Sequence, residues 1–400
     1  MASPVSHLDL DLEKIYLDIE PALPEQAWQQ SQGLANPASR WRAYINLLAM
    51  RSLTAWLQEA GSASPRGMVQ DALWPTVWEW VTGSAWQVGS LRWVLIPSEA
   101  IDDDELRVPQ EWVDIPSWAG DYYLLLQVNP DDDSEGAYVK LAGIATHAML
   151  KLQGAYDGRD RTYSLPIEDL TTDINVIELS NTLLLRRDFD DVPSLVTRAA
   201  VSPVPELPLA QANQLIQRLS AAEQLNPRLS IGFGPWSALL SHGGWRAEMT
   251  RQRQGRPPAF SVNQWLREGL SQIGEQLGWQ TVSLQPATVG ARGEEAETAQ
   301  TAFCREVSIT GEAYILQVSR LTGNSSNAWR FELRKLSGVV PVGVTLRLLT
   351  EDLQPFEGNE ATAAEPMESL YVDVALAAGE GVVWTTAPEP DAYVSEILRF

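Results

Sequence analysis

Residues 121–146 read DYYLLLQVNPDDDSEGAYVKLAGIAT, and the predicted fold of the first half of the chain depends on them. The segments on either side of DDDSEG are rich in leucine, aromatic and β-branched residues, a composition typical of two strands joined by a polar loop. DYYLLLQV is apolar on both faces, so we predict a central strand that is covered on both sides. The stretch therefore predicts a β-hairpin at the centre of a sheet.

The loop of this hairpin also has part of the composition of a calcium site. An EF-hand loop needs acids at its first, third and fifth positions, a glycine at its sixth and a bidentate glutamate at its twelfth. Asp131, Asp133, Glu135 and Gly136 match the first half of that pattern, but the twelfth position is Ala142. We therefore favour a solvated loop and keep the three acids only as candidate ligands of an adventitious cation. No metal and no cofactor is expected.

Two helices are predicted ahead of the sheet. The first is PEQAWQQSQ at 24–32. The second lies within NPASRWRAYINLLAMRSLTAWLQEAG, where Asn36 can cap the helix, Pro37 suits its first turn and Gly61 can end it. Apolar residues keep close to one face of the second helix at helical spacing, so we expect this face to pack on the sheet; they are Trp41, Tyr44, Ile45, Leu48, Ala55 and Trp56.

From about residue 86 the apolar pattern changes to a period of two, which is typical of strands. WQVGSLRWVLIP, ELRVPQEWVDIP and the two arms of the hairpin are predicted as strands of one antiparallel sheet, and RTYSLP at 161–166 as another short strand. The pattern of IEDLTTDINVIELSNTLLLRR is ambiguous, and its later half favours a helix. The first part of the chain is therefore predicted to be helices packed on an antiparallel sheet.

The second half is predicted to begin with helices and to end in strands. Residues 188–209 carry four prolines, which indicates a linker. Helical spacing follows in QANQLIQRLSAAEQL, in two short helices broken at Gly243–Gly244, and in SVNQWLREGLSQIGEQLGW. Seven short strands with turn residues between them then suggest a β-sandwich. We predict an α+β protein with an α+β domain at 1–190, a linker at 191–210, a helical segment at 211–280 and a β-sandwich-like domain at 281–400.

The bulk composition excludes several classes of protein. The net charge of −23 opposes binding to nucleic acid or an anionic membrane through the whole surface, because the field repels phosphate. The single Cys304 excludes an internal disulfide framework and a cysteine-built zinc site. No apolar run approaches the roughly 18 residues of a membrane span, and the acidic N-terminal sequence lacks the features of a secretory signal. A cytoplasmic protein without a membrane span is expected.

One cluster of loop carboxylates in the sequence has a composition suited to catalysis. GAYDGRDRTYSLPIEDL at 154–170 places Asp157 and Asp160 near Glu168 and Asp169, and paired carboxylates carry out hydrolysis in glycosidases. Asp157-Gly158 is also a tight-turn signal, and the neighbouring Arg159 and Arg161 can neutralise the acids. Nucleophile and phosphate-binding motifs are missing from the sequence. Asp157 and Asp160 are therefore the candidates of an alternative hypothesis, a hydrolase.

The most distinctive local feature is a reversal of charge at 228–267, which holds six arginines against one acid, Glu248. Arginine interleaved with tryptophan is typical of protein hot spots and also of single-strand nucleic-acid binding. A third interpretation is a solvated face that pairs with the acidic surface of this chain. We name as candidate partner-binding residues the tryptophans and arginines of this stretch: Trp236, Trp245, Arg246, Arg251, Arg253, Arg256 and Trp265.

Several blocks of the chain resemble a cyanobacterial family described as domain of unknown function 1822. They are WRAYINLLAMRSLTAWL at 41–57, WVLIPSEAIDDDELRVPQEWVDIPSWAGDYYLLLQVNPDD at 93–132, YVKLAGIATHAMLKLQGAYDGRDRTYSLPIEDLTTDINVI at 138–177, RLSIGFGPWSALLSHGGWRAEM at 228–249 and VNQWLREGL at 262–270. The resemblance implies a cytoplasmic cyanobacterial protein whose genes lie near those of sigma-factor-like and sensor-like proteins. That setting points to regulation or to a protein assembly, and it assigns no catalytic residue.

Three functional hypotheses follow. The leading one is a non-enzymatic regulatory or scaffolding protein that binds a protein partner through the tryptophans and arginines between 236 and 265. The alternatives are a hydrolase that uses the carboxylates near 157–169, and single-stranded nucleic-acid binding by 228–267. The acidic remainder of the chain makes nucleic acid the least favoured ligand.

Overall fold

The computed structural model describes residues 16–59, 65–99, 104–130, 136–171, 198–221, 224, 226–255, 260–284, 300–321, 327–391 and 393–400. The chain forms two compact units, and each unit is discontinuous in sequence. The first takes its residues from Met1–Glu206 and Leu219–Ser241, and the second from Leu207–Arg218 and His242–Phe400. The stretch at 211–280, predicted as one helical segment, is therefore shared between the two units. The candidate cation ligands Asp131, Asp133 and Glu135 lie outside the described residues, as does the later half of 167–187.

The first unit begins with two helices, α1 (Leu23–Ser31) and α2 (Pro37–Glu59). Asn36 caps α2 as predicted, because its Oδ1 accepts a hydrogen bond of 2.9 Å from the backbone N–H of Ser39. The middle of α2, residues 43–50, is buried all round. The prediction of one apolar face is only partly right, since Trp41 and Ala55 at the two ends of that face are exposed.

A six-stranded sheet packs against these helices. Its strands are β1 (Tyr16–Asp18), β2 (Arg66–Gly67), β3 (Ser84–Val88), β4 (Leu91–Ser98), β6 (Tyr122–Asn129) and β7 (Tyr138–Thr146), in the order β1-β7-β6-β4-β3-β2. The hairpin is confirmed, with Leu124 opposite Ile144 in an antiparallel pair and β6 in the interior of the sheet. The prediction of a purely antiparallel sheet is wrong at one place. Strand β4 pairs with β6 in parallel, because the chain leaves the sheet and returns between them.

That excursion passes through a second, three-stranded sheet of β5 (Glu105–Pro109), β9 (Thr162–Pro166) and β8 (Ala155–Asp157). ELRVPQEWVDIP is therefore not one strand: it turns at Pro109 into the short helix α4 (Gln110–Asp114). The helix α3 (Trp74–Trp78) precedes β3, and α5 (His147–Leu152) follows β7 directly. Thr146 caps α5 by accepting a hydrogen bond from the N–H of Met149. The result is a cluster of short elements beside the main sheet.

The helices predicted in the second half are present. Helix α6 (Leu209–Leu219) is followed by α7 (Phe233–Ser241), which belongs to the first unit, and by α8 (Gly243–Arg253) in the second. The break between α7 and α8 falls at His242, immediately before the predicted glycine pair. SVNQWLREGLSQIGEQLGW forms two short helices, α9 (Val262–Glu268) and α10 (Gln272–Gln276), because Gly269 takes a positive φ of 88° between them.

The second unit ends in two antiparallel sheets, and its described residues form nine strands where the sequence suggested seven. One sheet has the order β10-β11-β12-β13-β16, and the other has the order β15-β14-β17-β18. The strands are β10 (Trp279–Leu284), β11 (Gln300–Ile309), β12 (Glu312–Arg320), β13 (Ala328–Lys335), β14 (Thr345–Thr350), β15 (Glu360–Thr362), β16 (Ser369–Ala375), β17 (Gly381–Ala387) and β18 (Ile397–Arg399). Side chains from both sheets meet between them: the ring of Trp329 lies 4.7 Å from that of Phe400. The α+β fold class is confirmed.

Within the part of the chain that the structure describes, no helix is both long and apolar enough to cross a membrane.

Candidate functional site

Arg228 and Trp236, from the arginine-rich stretch, converge on a buried carboxylate of α4. Glu111 is 0% exposed, and its Oε1 accepts hydrogen bonds from Arg228 Nε at 3.0 Å and Trp236 Nε1 at 2.7 Å. Its Oε2 accepts a third from Arg228 Nη2 at 2.7 Å. A bidentate arginine and an indole N–H thus satisfy a carboxylate that is expensive to bury alone. We call these three residues the Glu111 hub.

The Glu111 hub also fastens the β8–β9 hairpin to the segment that precedes α7. Arg228 Nη1 donates to the carbonyl of Asp160 at 2.6 Å, and Arg161 Nη1 donates back to the carbonyl of Arg228 at 2.5 Å. Arg161 Nη2 donates to the carbonyl of Ile231 as well. These arginines therefore hold the fold of the first unit together.

The other candidate partner-binding residues lie in the second unit, and most of them are interior. The exposed fractions are 4% for Trp245, 2% for Arg246, 9% for Arg253 and 3% for Trp265. Arg251 forms an ion pair with Glu248, three residues earlier in the chain. Arg256 lies outside the described residues. The stretch therefore gives no exposed stripe of alternating arginine and tryptophan among its described residues. The sequence shows how many arginines the stretch holds, but it does not show the carboxylate and carbonyl partners that permit their burial.

The second unit contains a similar buried carboxylate, on the segment that leads into β18. Glu396 is 4% exposed and forms an ion pair with Arg305 at 2.7 Å. Its Oε1 accepts from Trp384 Nε1 at 2.7 Å, and its Oε2 accepts from Trp279 Nε1 at 3.4 Å. We call these four residues the Glu396 hub. In both units, a glutamate paired with an arginine provides partners for tryptophans whose N–H groups would otherwise be buried unpaired.

The loop carboxylates of the hydrolase hypothesis are engaged in a turn. Asp157 Oδ1 accepts a hydrogen bond of 2.8 Å from the backbone N–H of Arg159. Burial raises the pKa of Asp160, but hydrogen bonds from Thr162 and Arg107 outweigh it and hold that pKa below its usual range. Asp160 therefore stays ionised at neutral pH and does not supply the proton that a general acid must deliver.

A polar cluster that sequence reasoning missed lies next to this turn. Lys151 Nζ donates to Asp114 Oδ1 at 2.8 Å and to the hydroxyl of Tyr163 at 2.9 Å, and that hydroxyl donates to Asp114 Oδ2 at 2.8 Å. Burial lowers the pKa of Lys151, but the bonds to Asp114 and Tyr163 outweigh it and raise that pKa above its usual range. Burial raises the pKa of Tyr163. Both residues therefore keep their protons at neutral pH, and neither is prepared to act as a base.

The histidines at 147 and 242 form hydrogen bonds that serve the fold. His147 Nδ1 accepts from the N–H of Ala199 at 3.0 Å, so Nε2 carries the proton and donates to the carbonyl of Val113. His242 caps α8: its Nδ1 accepts from the N–H of Trp245, and Nε2 donates to the carbonyl of Glu351. Burial lowers the pKa of both imidazoles, and that of His242 falls to about 4. The described ranges contain no group of three or more His, Cys, Asp or Glu side chains suited to a metal ion.

An exposed aromatic cluster lies instead on the two N-terminal helices. All sixteen tryptophans of the chain lie in the described residues, and thirteen of them are buried. Trp28 on α1 and Trp41 on α2 are the two exposed ones, at 45% and 42%. They contact each other with ring centroids 6.4 Å apart, and both contact Tyr44, at 5.7 Å and 5.2 Å. Two exposed indoles therefore form one continuous surface.

A carboxylate is fixed at the edge of this cluster. Trp41 Nε1 donates to Glu99 Oε2 at 2.7 Å, and Glu99 is itself exposed. Glu25, one turn before Trp28, is exposed and accepts from the amide of Gln29. Among the described residues, neither carboxylate forms an ion pair. We call Trp28, Trp41, Tyr44 and Glu99 the aromatic patch, and its chemistry is that of an aromatic surface with an unneutralised negative edge.

The sequence does indicate this patch, although the helical spacing of apolar residues does not, because Trp28 lies outside any apolar stripe. Trp28 stands in PEQAWQQSQ, a helix whose other large side chains are polar, so it has no apolar stripe to join. The positions that α1 buries are those of Ala27 and Ser31, four residues apart, and Trp28 lies beside them on the outer face. A tryptophan in a glutamine-rich helix therefore indicates an exposed indole better than tryptophans next to arginines do.

A family model described as "Protein of unknown function (DUF1822)" matches residues 17–399 of the chain. No curated protein and no solved structure matches it.

Proposed function

Because the chain belongs to the DUF1822 family, whose description names no activity, we propose its function from the exposed chemistry of the chain: a non-enzymatic protein that binds a protein partner. In this proposal it acts as a regulatory or scaffolding component, and the partner docks on the aromatic patch. The observation that carries the proposal is the pair of exposed, mutually contacting indoles Trp28 and Trp41 in a chain that buries thirteen of its sixteen tryptophans.

Exposed tryptophan has a cost that a binding partner removes. An indole buries roughly 150–250 Å² when it is covered, and close to half of Trp28 and of Trp41 is open. Covering about 100 Å² of apolar surface on each ring is worth about 2.5 kcal/mol per ring at about 25 cal/mol per Å². Tryptophan is the residue most enriched at hot spots, where a few such side chains supply most of the binding free energy.

The proposal replaces the surface predicted from the sequence but keeps the class of function. The described candidate residues of 228–267, Trp236, Trp245, Arg246, Arg251, Arg253 and Trp265, are buried or ion-paired, so the partner contact moves to the N-terminal helices. The ionised Asp160 and the protonated Lys151 and Tyr163 weigh against acid–base catalysis near 157–169. A net charge of −23 weighs against nucleic acid.

The family resemblance carries two further parts of the proposal, cyanobacterial origin and a cytoplasmic location. The single Cys304 fits a reducing compartment, where disulfides are rare. The regulatory role rests on the same resemblance and on the acidic surface, which steers basic partners toward the chain.

The experiment is a comparative capture from the native lysate with three tagged forms of the full chain: wild type, Trp28→Ala/Trp41→Ala and Leu152→Ala. Leu152 is the matched control, since it is a large apolar side chain in the same unit and is 79% exposed. Circular dichroism first shows that all three are folded. The proposal expects a protein that is retained by wild type and by Leu152→Ala and is lost from the double variant.

The captured protein is then purified, and its affinity is measured by calorimetry. Removing two hot-spot indoles is expected to weaken binding by about 1000-fold, since each such residue contributes about 2 kcal/mol or more and every 1.4 kcal/mol is about tenfold. Equal affinity for wild type and the double variant overturns the aromatic patch as the binding surface. A lysate in which wild type retains no protein overturns the proposed function itself.

A further inference from the structure

The aromatic patch combines an open indole face with a carboxylate fixed at the edge of the same ring. The hydrogen bond of 2.7 Å from Trp41 Nε1 holds Glu99 Oε2 in the region of the ring edge, which leaves Glu99 Oε1 for another donor. Trp41 is 42% exposed, so a ligand has access to its ring. A group that covers the ring and donates to the carboxylate would satisfy both features at once.

A planar cation fits this arrangement better than a neutral or apolar group. Cations are attracted to the face of tryptophan by the ring quadrupole, and the attraction grows when the pair is shielded from water. Glu99 and Glu25 lie beside the two indoles, and among the described residues neither is neutralised by an ion pair. A cationic ligand therefore meets a ring that attracts it and a carboxylate that accepts its N–H groups.

Guanidinium and ammonium are not equivalent ligands for such a surface. The guanidinium of arginine is flat, so it stacks on an indole while its edge N–H groups donate in plane to a carboxylate. An ammonium is compact and strongly hydrated, so it cannot cover a ring and loses more when it leaves water. The chain itself shows the pairing: the guanidinium of Arg330 lies 4.2 Å from the centroid of the Tyr371 ring and donates to Asp373 at 2.8 Å.

We infer that the aromatic patch recognises an arginine of the partner protein, which stacks on Trp41 and donates to Glu99. This inference rests on the proposed function and specifies the chemistry of its ligand. The net charge of −23 is the long-range counterpart of the local arrangement, because it draws a basic segment to the surface.

The test uses the full chain and three acetylated nonapeptides. Each peptide carries the same residue at three positions separated by glycine, and that residue is arginine in the first peptide, citrulline in the second and lysine in the third. Citrulline is the neutral counterpart of arginine with nearly the same shape. Binding is followed by the ¹⁵N–¹H resonances of the indole N–H groups, assigned with Trp28→Phe and Trp41→Phe. The arginine peptide is expected to shift the Trp41 indole resonance. It is also expected to bind at least about tenfold more tightly than the citrulline peptide, because only arginine gains a cation–π contact and a charge-assisted contact with the carboxylate.

The variant Glu99→Gln keeps an acceptor for the Trp41 N–H and removes the charge. It is expected to weaken the arginine peptide about tenfold and to leave the citrulline peptide unchanged. The lysine peptide is expected to bind more weakly than the arginine peptide, and added salt is expected to weaken arginine binding more than citrulline binding.

Two results overturn the inference and leave the proposed function standing. One is equal binding of the arginine and citrulline peptides, which makes the patch an apolar surface. The other is no shift of the Trp41 indole resonance at millimolar arginine peptide while the native partner is still lost from Trp28→Ala/Trp41→Ala. Failure of the proposed function has a different signature, since wild type then retains no protein from the lysate. Failure of the aromatic patch as the binding surface is distinct again, since the native partner then binds wild type and the double variant alike.

Discussion

Replacing Glu111 with alanine removes the acceptor of three hydrogen bonds in the Glu111 hub. Arg228 loses two of its bonds and Trp236 loses the carboxylate that accepts from its indole N–H, in a site where Glu111 is 0% exposed. The guanidinium is 18% exposed and keeps the carbonyls of Asp160 and Arg161 at 2.6 Å and 3.2 Å. The variant therefore leaves a mostly buried cation without its counterion.

The expected loss of stability follows from that inventory. Removing one partner of a buried ion pair costs about 3–5 kcal/mol, because the remaining charge stays desolvated. The two remaining carbonyls and the partial exposure of Arg228 place the variant at the lower end, at about 3 kcal/mol for the first unit. Glu111→Gln keeps an acceptor without the charge, and we expect about half that loss.

The assay is hydrogen exchange by mass spectrometry on the full chain, because the two units need not unfold together. Peptides that cover 110–114 and 226–241 are expected to lose protection in Glu111→Ala, while peptides from β11 to β13 keep it. Asp71→Ala is the control, since its ion pair with Arg51 is 71% and 44% exposed and is worth at most about 1 kcal/mol. A Glu111→Ala protein as stable as Asp71→Ala would refute the view that a buried charge pair holds this unit.

Three further variants test other parts of the account. Glu396→Ala is expected to cost about 3 kcal/mol in the second unit only, measured by the same exchange experiment, and loss of protection in the first unit would contradict the division into units. His242 has a folded pKa of about 4, below the unfolded value of about 6.5, so the unfolded state binds the proton first and stability should fall as the pH drops from 6.5 to 4. His242→Asn keeps the cap and should flatten that loss by up to about 3 kcal/mol in urea unfolding; an unchanged pH profile would exclude His242 as its source. Arg253→Glu reverses the charge of a side chain that is 9% exposed and should destabilise the second unit by about 2 kcal/mol or more. An unaltered urea midpoint would contradict the burial of Arg253.

The parts of the fold that the sequence predicted well are those with strong local signals. The hairpin of β6 and β7, the cap at Asn36 and the strands of the C-terminal sheets all depend on residues close together in the chain. The parallel pairing of β4 with β6 was not predictable in the same way, because it depends on where the chain goes between residues 99 and 121. The sharing of 211–280 between two units is likewise set by long-range contacts.

The candidate site was harder to predict for a related reason. A list of arginines and tryptophans describes a buried hub and an exposed hot spot equally well, since both use the same pairings. Trp236 and Arg228 are interior because Glu111, more than a hundred residues earlier, meets them there. Trp41 is exposed although it follows the helical spacing of a core residue, because the continuously buried stretch of α2 begins only at residue 43.

Site-specific photo-crosslinking in the native cell shows directly whether a partner docks on the aromatic patch. Gln29, which is exposed and follows Trp28 in the chain, is replaced with the photoreactive residue p-benzoylphenylalanine, and Leu152 carries the same replacement in a separate control strain. We expect illumination to join the chain to one partner protein from position 29 and not from position 152. A partner that crosslinks from position 152 alone, or no crosslinked protein from position 29, would contradict docking on the aromatic patch.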